Sequence, residues 1–174
     1  MHSVDADVVK APRIVREFVQ TIAAPAEEIF LRLCPVHEKA WLDEWDYRMV
    51  YSQSGYAEEE CVFTTQESET ETVWIVTHHD PANHEIHFAR FTVGLAATTL
   101  KVRVESHGIE PSKVHIRYTH TSLSDAGDAY LAAMTETAFN TRMRFWQDSM
   151  AHYLATGQKL TRAAFVQMAE KRCA

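Results

Sequence analysis

Histidine is the residue type with the clearest potential for chemistry in this sequence, which contains ten of them. His78, His79, His84 and His87 flank an Asp-Pro-Ala-Asn turn at 80–83. A four-residue turn there places His79 opposite His84, and cross-strand side chains lie ~5 Å apart. Imidazoles are zinc and copper ligands, but two of them beside a turn do not complete a site. Because no HxxxH or HExxH spacing occurs, we predict polar strand residues and no metal.

His120 belongs to a different pattern, an alternating strand in which it shares a face with Ile116 and Tyr118. That face is predicted to point inward, where an unbonded polar group costs roughly 1–3 kcal/mol. His120 is therefore either a ligand-orienting group or general base, or a histidine that water or backbone satisfies at the open end of the sheet. Arg16 shares the face of Phe18 on another strand, and from there it would suit a carboxylate ligand.

Trp41 and Trp45 lie four residues apart, beside the acidic residues Asp43, Glu44 and Asp46. This segment is either a lid over a bound ligand or a pair of aromatic side chains that fill the end of the core. The sequence has no GxGxxG, P-loop or GxSxG motif and no paired catalytic carboxylates. We therefore predict no cofactor and assign no catalytic residue.

Composition limits the classes of protein to which the chain can belong. With 174 residues, 46% hydrophobic and 24% charged, it is long enough for one stable domain and does not have the composition of a disordered chain. The 17 basic and 24 acidic residues give a net charge of −7, which disfavours nucleic acid as a partner. The sequence shows neither a signal peptide nor an apolar run of the ~18 residues that a membrane span needs. Three cysteines without a CxxC pair predict reduced thiols and a cytoplasmic location.

Hydrophobic periodicity predicts the elements that position these residues. Residues 13–22 alternate as a strand, and a short helix with Pro25 in its first turn follows and stops at Pro35. Residues 36–45 form either a second short helix or an ordered loop. Six further strands are predicted at residues 47–51, 60–65, 72–79, 84–91, 98–106 and 113–121.

After the last predicted strand, the spacing of the hydrophobic residues changes to the period of an α-helix. Ser124 is a plausible N-cap, the helical pattern runs to Thr156, and Gly157 stands where a left-handed C-cap belongs. About 33 helical residues would extend ~50 Å. Residues 160–172 are predicted to form a short amphipathic helix. The apolar stripe of the long helix consists of Phe139, Met143, Trp146, Met150, Tyr153 and Leu154.

This order predicts an α+β fold with a seven-stranded antiparallel sheet. The long helix packs on the apolar face of that sheet. A sheet strongly curved around such a helix leaves a space between them, whereas a flatter one gives a solid core. The residues predicted to line that space are Tyr47, Met49, Phe63, Ile75, Phe88, Leu100, Val102, Ile116, Tyr118, Phe139, Met143 and Trp146.

Three stretches resemble a known superfamily. FVQTIAAPAEEIF, residues 18–30, resembles the opening of START-like (SRPBCC) proteins, where a strand ending in I-x-A-P leads into a helix reading P-x-E-x-V/I-F. Residues 146–157 resemble the last turns of the family's long C-terminal helix, and residues 33–45 with 54–58 are similar to a bacterial subgroup without a clear assigned activity. The resemblance covers residues 13–157. It implies a helix-grip fold and commonly a ligand cavity, but no universal catalytic motif.

The predicted organisation is a flexible leader at 1–12, a START-like ligand-binding domain at 13–157 and an amphipathic tail at 158–174. We expect this domain to bind a small hydrophobic or amphipathic molecule that is lipid-, polyketide- or aromatic-like. The lining residues and His120 would contact the ligand, under a lid of Trp41 and Trp45.

Two other hypotheses and one question of assembly stay open. The first is a polyketide-cyclase-like enzyme that carries out proton transfer or dehydration in the same cavity with Tyr118, His120 and Arg16. The second is a co-chaperone-like module that binds a protein partner. The sequence does not decide whether the protein forms a homodimer.

Overall fold

A computed structural model describes residues 10–67, 70–106, 108 and 111–173 of the protein. The predicted leader therefore lies mostly outside the described residues. Within these residues, seven strands and five helices are present, and the strands follow the predicted order. The strands are β1 (Arg13–Ile22), β2 (Tyr47–Tyr51), β3 (Val62–Glu67), β4 (Thr70–Asp80), β5 (Glu85–Thr92), β6 (Ala96–Glu105) and β7 (Ser112–Ser122).

Two short helices separate β1 from β2, and three helices follow β7. Of the two alternatives for residues 36–45, the structure shows the second short helix, which ends at Trp41. Within the described part of the chain, no helix has the length and apolar character needed to cross a membrane. The helices are α1 (Ala26–Leu31), α2 (Pro35–Trp41), α3 (Asp125–Ala133), α4 (Glu136–Thr156) and α5 (Arg162–Cys173).

The strands form one antiparallel sheet in the order β1-β7-β6-β5-β4-β3-β2, with β1 and β2 at its edges. Side chains alternate between the two faces, so residues in register across strands share a face. Phe18 pairs with Ile116, Ile116 with Val102, and Val102 with Ile86. This apolar row across four strands belongs to the inner face, which packs under α4.

The helix α4 lies on the inner face through the predicted stripe. Phe139, Met143 and Met150 are buried there. The buried side-chain amide of Gln20 on β1 donates to the carbonyl oxygen of Met143 at 2.9 Å. Gly157 ends the helix with φ +71°, so the predicted left-handed C-cap is confirmed.

The predicted single helix from Ser124 to Thr156 is wrong, because α3 and α4 are separate. Ser124 caps α3 as predicted, and its hydroxyl accepts from the backbone N–H of Gly127. Met134 then leaves the helical conformation with ψ 60°, and the Thr135 hydroxyl caps α4. Arg16 on β1 donates to the freed carbonyl oxygen of Met134 at 2.9 Å, which stabilises the break.

The predicted pairing of His79 with His84 is also wrong. His78 faces His87, with ring centroids 4.9 Å apart, and His79 faces Ile86. The side chain of Asp80 accepts hydrogen bonds from the backbone N–H groups of residues 82 and 83, which moves the turn to 81–84. The register then shifts between Val76 and His78, so that Val76 pairs with Phe88.

The helix α5 packs against α4 through a small cluster that is separate from the main core. Phe145 is buried there against Phe165, with ring centroids 5.1 Å apart, and Leu160 completes the cluster. Leu160 also forms an isolated bridge with Leu42 just after α2. The predicted amphipathic tail is therefore a helix that covers Phe145, an apolar residue outside the stripe.

Candidate functional site

A cavity of about 500 Å³ lies between the inner face of the sheet, α2 and α4. Small-molecule sites commonly have volumes of ~300–1,000 Å³. Its wall is formed by residues from β3 to β7, from the α1–α2 and α2–β2 segments, and from α4. The curved sheet therefore leaves a space under α4 rather than packing solidly along its whole length.

The centre of the wall is a group of aromatic rings. Phe63 and Trp74 stack with centroids 5.5 Å apart and planes 9° from parallel. Phe88 stands edge-on to both, at 6.3 Å and 5.9 Å. The indole of Trp45 approaches the same two rings at 6.5 Å. Such offset and edge-to-face contacts fix the rings as a rigid apolar surface.

The structure brings most of the predicted lining residues together. Eight of them line the cavity, as does Trp45 from the predicted lid. The ligand-contacting role of each stays a prediction. The eight are Phe63, Phe88, Leu100, Val102, Ile116, Tyr118, Met143 and Trp146.

Ile75 is the one predicted lining residue that points to the wrong face. Trp74 and Val76 are buried on the inner face, whereas Ile75 lies between them on the outer face. The register shift between Val76 and His78 accounts for this error. The inward-facing and outward-facing positions of β4 exchange at that irregularity. Trp74, which the sequence analysis missed, takes the place of Ile75 in the cavity wall.

The remaining residues of the predicted site lie beside the cavity. Tyr47 and Met49, on edge strand β2, are partly buried against the core without lining the space. Phe139 is buried against Tyr118, with ring centroids 5.7 Å apart. Trp41 is fully buried and donates its indole N–H to the carbonyl oxygen of Arg32. Trp41 is therefore a core residue, and the expectation of a two-tryptophan lid is corrected.

The most buried charged group of the cavity wall is Arg90 on β5, which is 3% exposed. Its guanidinium carbon lies 5.0 Å from the ring centroid of Trp74, and Nη2 donates to the Tyr130 hydroxyl at 3.1 Å. Arg90 was not predicted from the sequence. Its alternation with Phe88 and Ile86, both buried on β5, would have placed it on the inner face.

Glu38 on α2 is a second charged residue of the cavity wall that was not predicted from the sequence. It lines the cavity, and burial raises the pKa of its carboxyl group to about 8. Among the described residues, none makes a hydrogen bond or ion pair with this carboxyl group. Because that pKa lies above neutrality, the carboxyl group is mostly protonated and uncharged at pH 7.

The mouth of the cavity is polar and lies where α2, the following segment and the start of α5 meet. The carboxylate of Asp43 accepts from the backbone N–H of Arg162 at 2.8 Å. The side chain of Arg162 lies 3.5 Å from that of Glu44, and Lys39 pairs with Asp46 at 3.1 Å. These exposed ion pairs are worth little individually, but they surround the entrance with charge.

His120 is 3% exposed on the inner face, as its alternation predicts, but it does not line the cavity. It shares a 2.9 Å hydrogen bond with the Thr98 hydroxyl, and its ring stacks on Tyr118 at 5.4 Å. Burial, then the positive charges of three arginines, lower its pKa to about 4. Because Arg16 is bound to the α3–α4 break, the structure does not bring Tyr118, His120 and Arg16 together in the cavity.

Solved structures show the same architecture at low sequence identity. Norcoclaurine synthase from Thalictrum flavum superposes with a TM-score of 0.63 at 10% identity, over 84% of this chain and 89% of the synthase. Ara h 8.0201 gives 0.59 at 13% identity, over 83% of this chain and 99% of that one. The protein has the helix-grip fold. The predicted α+β architecture and the likeness to START-like proteins are therefore confirmed at the level of the fold.

A third helix-grip structure is DynU16, from the dynemicin biosynthetic locus. It superposes with a TM-score of 0.57 at 13% identity over 83% of this chain. The chain spans about half of the length of DynU16, since it covers 48% of it. No protein-family model matches the sequence, and no curated protein matches it either.

In the described part of the chain, no three His, Cys, Asp or Glu side chains are grouped to hold a metal ion.

We expect His120 to make this helix-grip protein less stable in acid. The pKa of His120 is about 4 in the folded protein, against ~6.5 in an unfolded chain. Below pH 6.5 the unfolded chain therefore binds a proton that the folded protein excludes. The free energy of unfolding should fall by up to about 1.4 kcal/mol per pH unit toward pH 4. In urea unfolding from pH 7 to 4, His120→Gln should lose less stability than the wild type.

The control is His152→Gln, which removes a histidine from α4 outside the cavity. It should follow the wild-type profile. Equal acid slopes for the wild type and His120→Gln would contradict the burial of a neutral imidazole.

Proposed function

We propose that the protein binds a small, mostly apolar aromatic molecule in the cavity between α4 and the sheet. The observation that carries this proposal is the cavity itself, about 500 Å³ of space walled by the rings of Phe63, Trp74 and Phe88. Side chains that border unfilled space lose van der Waals contacts on one side. A flat ligand would restore those contacts and remove its own apolar surface from water.

The wall favours an aromatic ligand over a flexible acyl chain. Its rings are held by mutual stacking and edge contacts, so they present preformed faces to a flat partner. The helix-grip neighbour norcoclaurine synthase has been solved in complex with dopamine and hydroxybenzaldehyde, with a TM-score of 0.62 at 10% identity. That complex concerns the synthase, but it supports the choice of single-ring and bicyclic molecules as first probes.

The test is a titration with N-phenyl-1-naphthylamine, a neutral aromatic probe whose fluorescence rises in apolar surroundings. We expect saturable binding with one probe per protein. Native mass spectrometry of the purified protein should show the same stoichiometry, and any molecule retained from the host would reveal the ligand class. A fluorescence increase that never saturates, together with a mass spectrum of the unliganded protein alone, would overturn the proposal.

A further inference from the structure

We propose that the cavity selects aromatic ligands that carry a basic amine, and that the carboxyl group of Glu38 binds this amine. The inference rests on the proposed function and adds the ligand's polar group to it. A second anchor in the same cavity, Arg90, would instead select a carboxylate. The arrangement of the charged groups favours Glu38.

The side chain of Glu38 is partly buried and borders the cavity. It lies on α2, whose ends are fixed in the core by buried Pro35 and Trp41. No hydrogen bond or ion pair joins it to another described residue. Burial raises the pKa of this carboxyl group, which means that its ionised form is poorly stabilised there without a partner. A ligand ammonium in the cavity would provide that partner.

The other charged groups around the cavity already have partners in the protein or reach solvent. The guanidinium of Arg90 lies over Trp74 and donates to Tyr130. The side chain of Arg162 pairs with a mouth carboxylate and lies 3.9 Å from the ring centroid of Phe145. The phenol of Tyr118 also borders the space. The charged groups that line the cavity with Glu38 are Asp43, Glu44, Asp46, Arg90, Arg142 and Arg162.

The aromatic wall suits a cation as well as an aromatic ring. A cation within ~6 Å of a ring centroid is attracted to the face of that ring, most strongly for tryptophan. Arg90 already occupies such a position over Trp74. The neighbouring faces of Trp45 and Phe63 line the same cavity. An alkylammonium ligand therefore finds both a carboxyl partner and electron-rich rings in one space.

Binding by this route changes the protonation of the protein. Burial holds the pKa of Glu38 at about 8, so the empty cavity contains a carboxylic acid at neutral pH. An incoming ammonium ion forms an ion pair with the carboxylate, and the displaced carboxyl proton passes to the solvent. A neutral alcohol binds without this exchange. Proton release on binding is therefore a direct signature of contact with Glu38.

The experiment compares three ligands that share one ring system, 2-(2-naphthyl)ethylamine, 2-(2-naphthyl)ethanol and 2-naphthylacetic acid. Isothermal titration calorimetry at pH 7 in two buffers of different ionisation enthalpy gives both affinity and proton release. We expect the amine to bind at least about tenfold more tightly than the alcohol, as a charge-assisted hydrogen bond allows. The amine should release close to one proton per molecule bound, and the alcohol none.

Two variants assign the effect to Glu38. Glu38→Gln keeps the shape of the side chain but cannot ionise, so the amine should bind it no more tightly than the alcohol does. The alcohol should bind this variant and the wild type alike. Glu27→Gln removes an exposed carboxylate from α1, outside the cavity, and it should retain the preference for the amine. If circular dichroism shows that Glu38→Gln is unfolded, Glu38→Asp replaces it, and proton release by the wild type remains decisive.

Equal binding of the amine and the alcohol, without proton release, would overturn the role of Glu38 while leaving an aromatic cavity. Tightest binding of 2-naphthylacetic acid would also overturn it and would identify Arg90 as the anchor. Failure of all three ligands and of N-phenyl-1-naphthylamine would overturn the proposed function itself.

Discussion

Met143→Trp is expected to abolish binding of N-phenyl-1-naphthylamine while the protein stays folded. Met143 lines the cavity from α4, opposite the sheet, so a larger indole side chain there can extend into unfilled space. We expect the affinity for the probe to fall by at least about 100-fold. The cost in folding stability should stay below the ~1–3 kcal/mol that is typical of an overpacked core. Probe fluorescence and thermal unfolding measure the two quantities.

Met150→Trp is the matched control on the same helix. Met150 is fully buried and does not line the cavity, so the same added volume has no space to enter. This variant should lose stability or fail to fold. If Met143→Trp is destabilised as strongly as Met150→Trp, or still binds the probe with wild-type affinity, the cavity does not accept ligands as proposed.

Glu38→Gln is expected to stabilise the protein increasingly as the pH rises. The pKa of Glu38 is about 8 in the folded protein, above its usual 4.5. Between these values the unfolded chain loses a proton that the folded protein keeps, so rising pH favours unfolding. The wild type should lose up to about 1.4 kcal/mol per pH unit from this group, and the loss should end near pH 8. The variant lacks this dependence.

Urea unfolding of the wild type and Glu38→Gln at intervals from pH 5 to 9 measures the effect as a difference between the two curves. Glu27→Gln, an exposed position on α1, controls for the removal of one negative charge. A difference between wild type and Glu38→Gln that stays constant across the series would show that Glu38 is not a buried acid. His120 contributes the opposite slope at the acid end, and the difference measurement separates the two groups.

The fold could be predicted from the sequence because its signals are local and repeated. Alternation over ten residues defined β1 with its observed bounds, Arg13–Ile22. Ser124 and Gly157 were recognised as helix caps from their residue type and position. Several strands have one polar and one apolar face, and the apolar face of the sheet then required one layer of helices to cover it. Each of these inferences needs only neighbours along the chain.

The candidate site was harder to predict because its errors come from non-local causes. The break at Met134 is stabilised by Arg16, which is 118 residues away in the sequence. The register shift in β4 reversed the expected faces of Trp74 and Ile75. Trp41 and Trp45 have the same residue type, yet only packing against α1 and α4 decides which of them is fully buried.

Glu38 and Arg90 illustrate a second reason. Charged residues on a predicted surface pattern are common, and sequence alone rarely indicates that one of them faces inward. The inward direction of Arg90 could have been recognised from the alternation of buried residues along β5. Glu38, however, lies in a segment for which the sequence left helix and loop open. The position of Glu38 follows from the way α2 packs over the sheet, which only the assembled fold shows.

Hydrogen bonds from three residues of β1 to the region of α3 and α4 have a consequence for folding kinetics. Arg16 and Gln20 reach the carbonyl oxygens of Met134 and Met143, and the backbone N–H of Thr21 donates to the side chain of Gln147. These partners are separated by 118 to 126 residues, and among the described strands β1 pairs with β7 alone. Contacts so distant in sequence form late because closing long loops costs entropy. On the ribosome, β1 must therefore wait for β7 and most of α4 before its edge of the sheet can be completed.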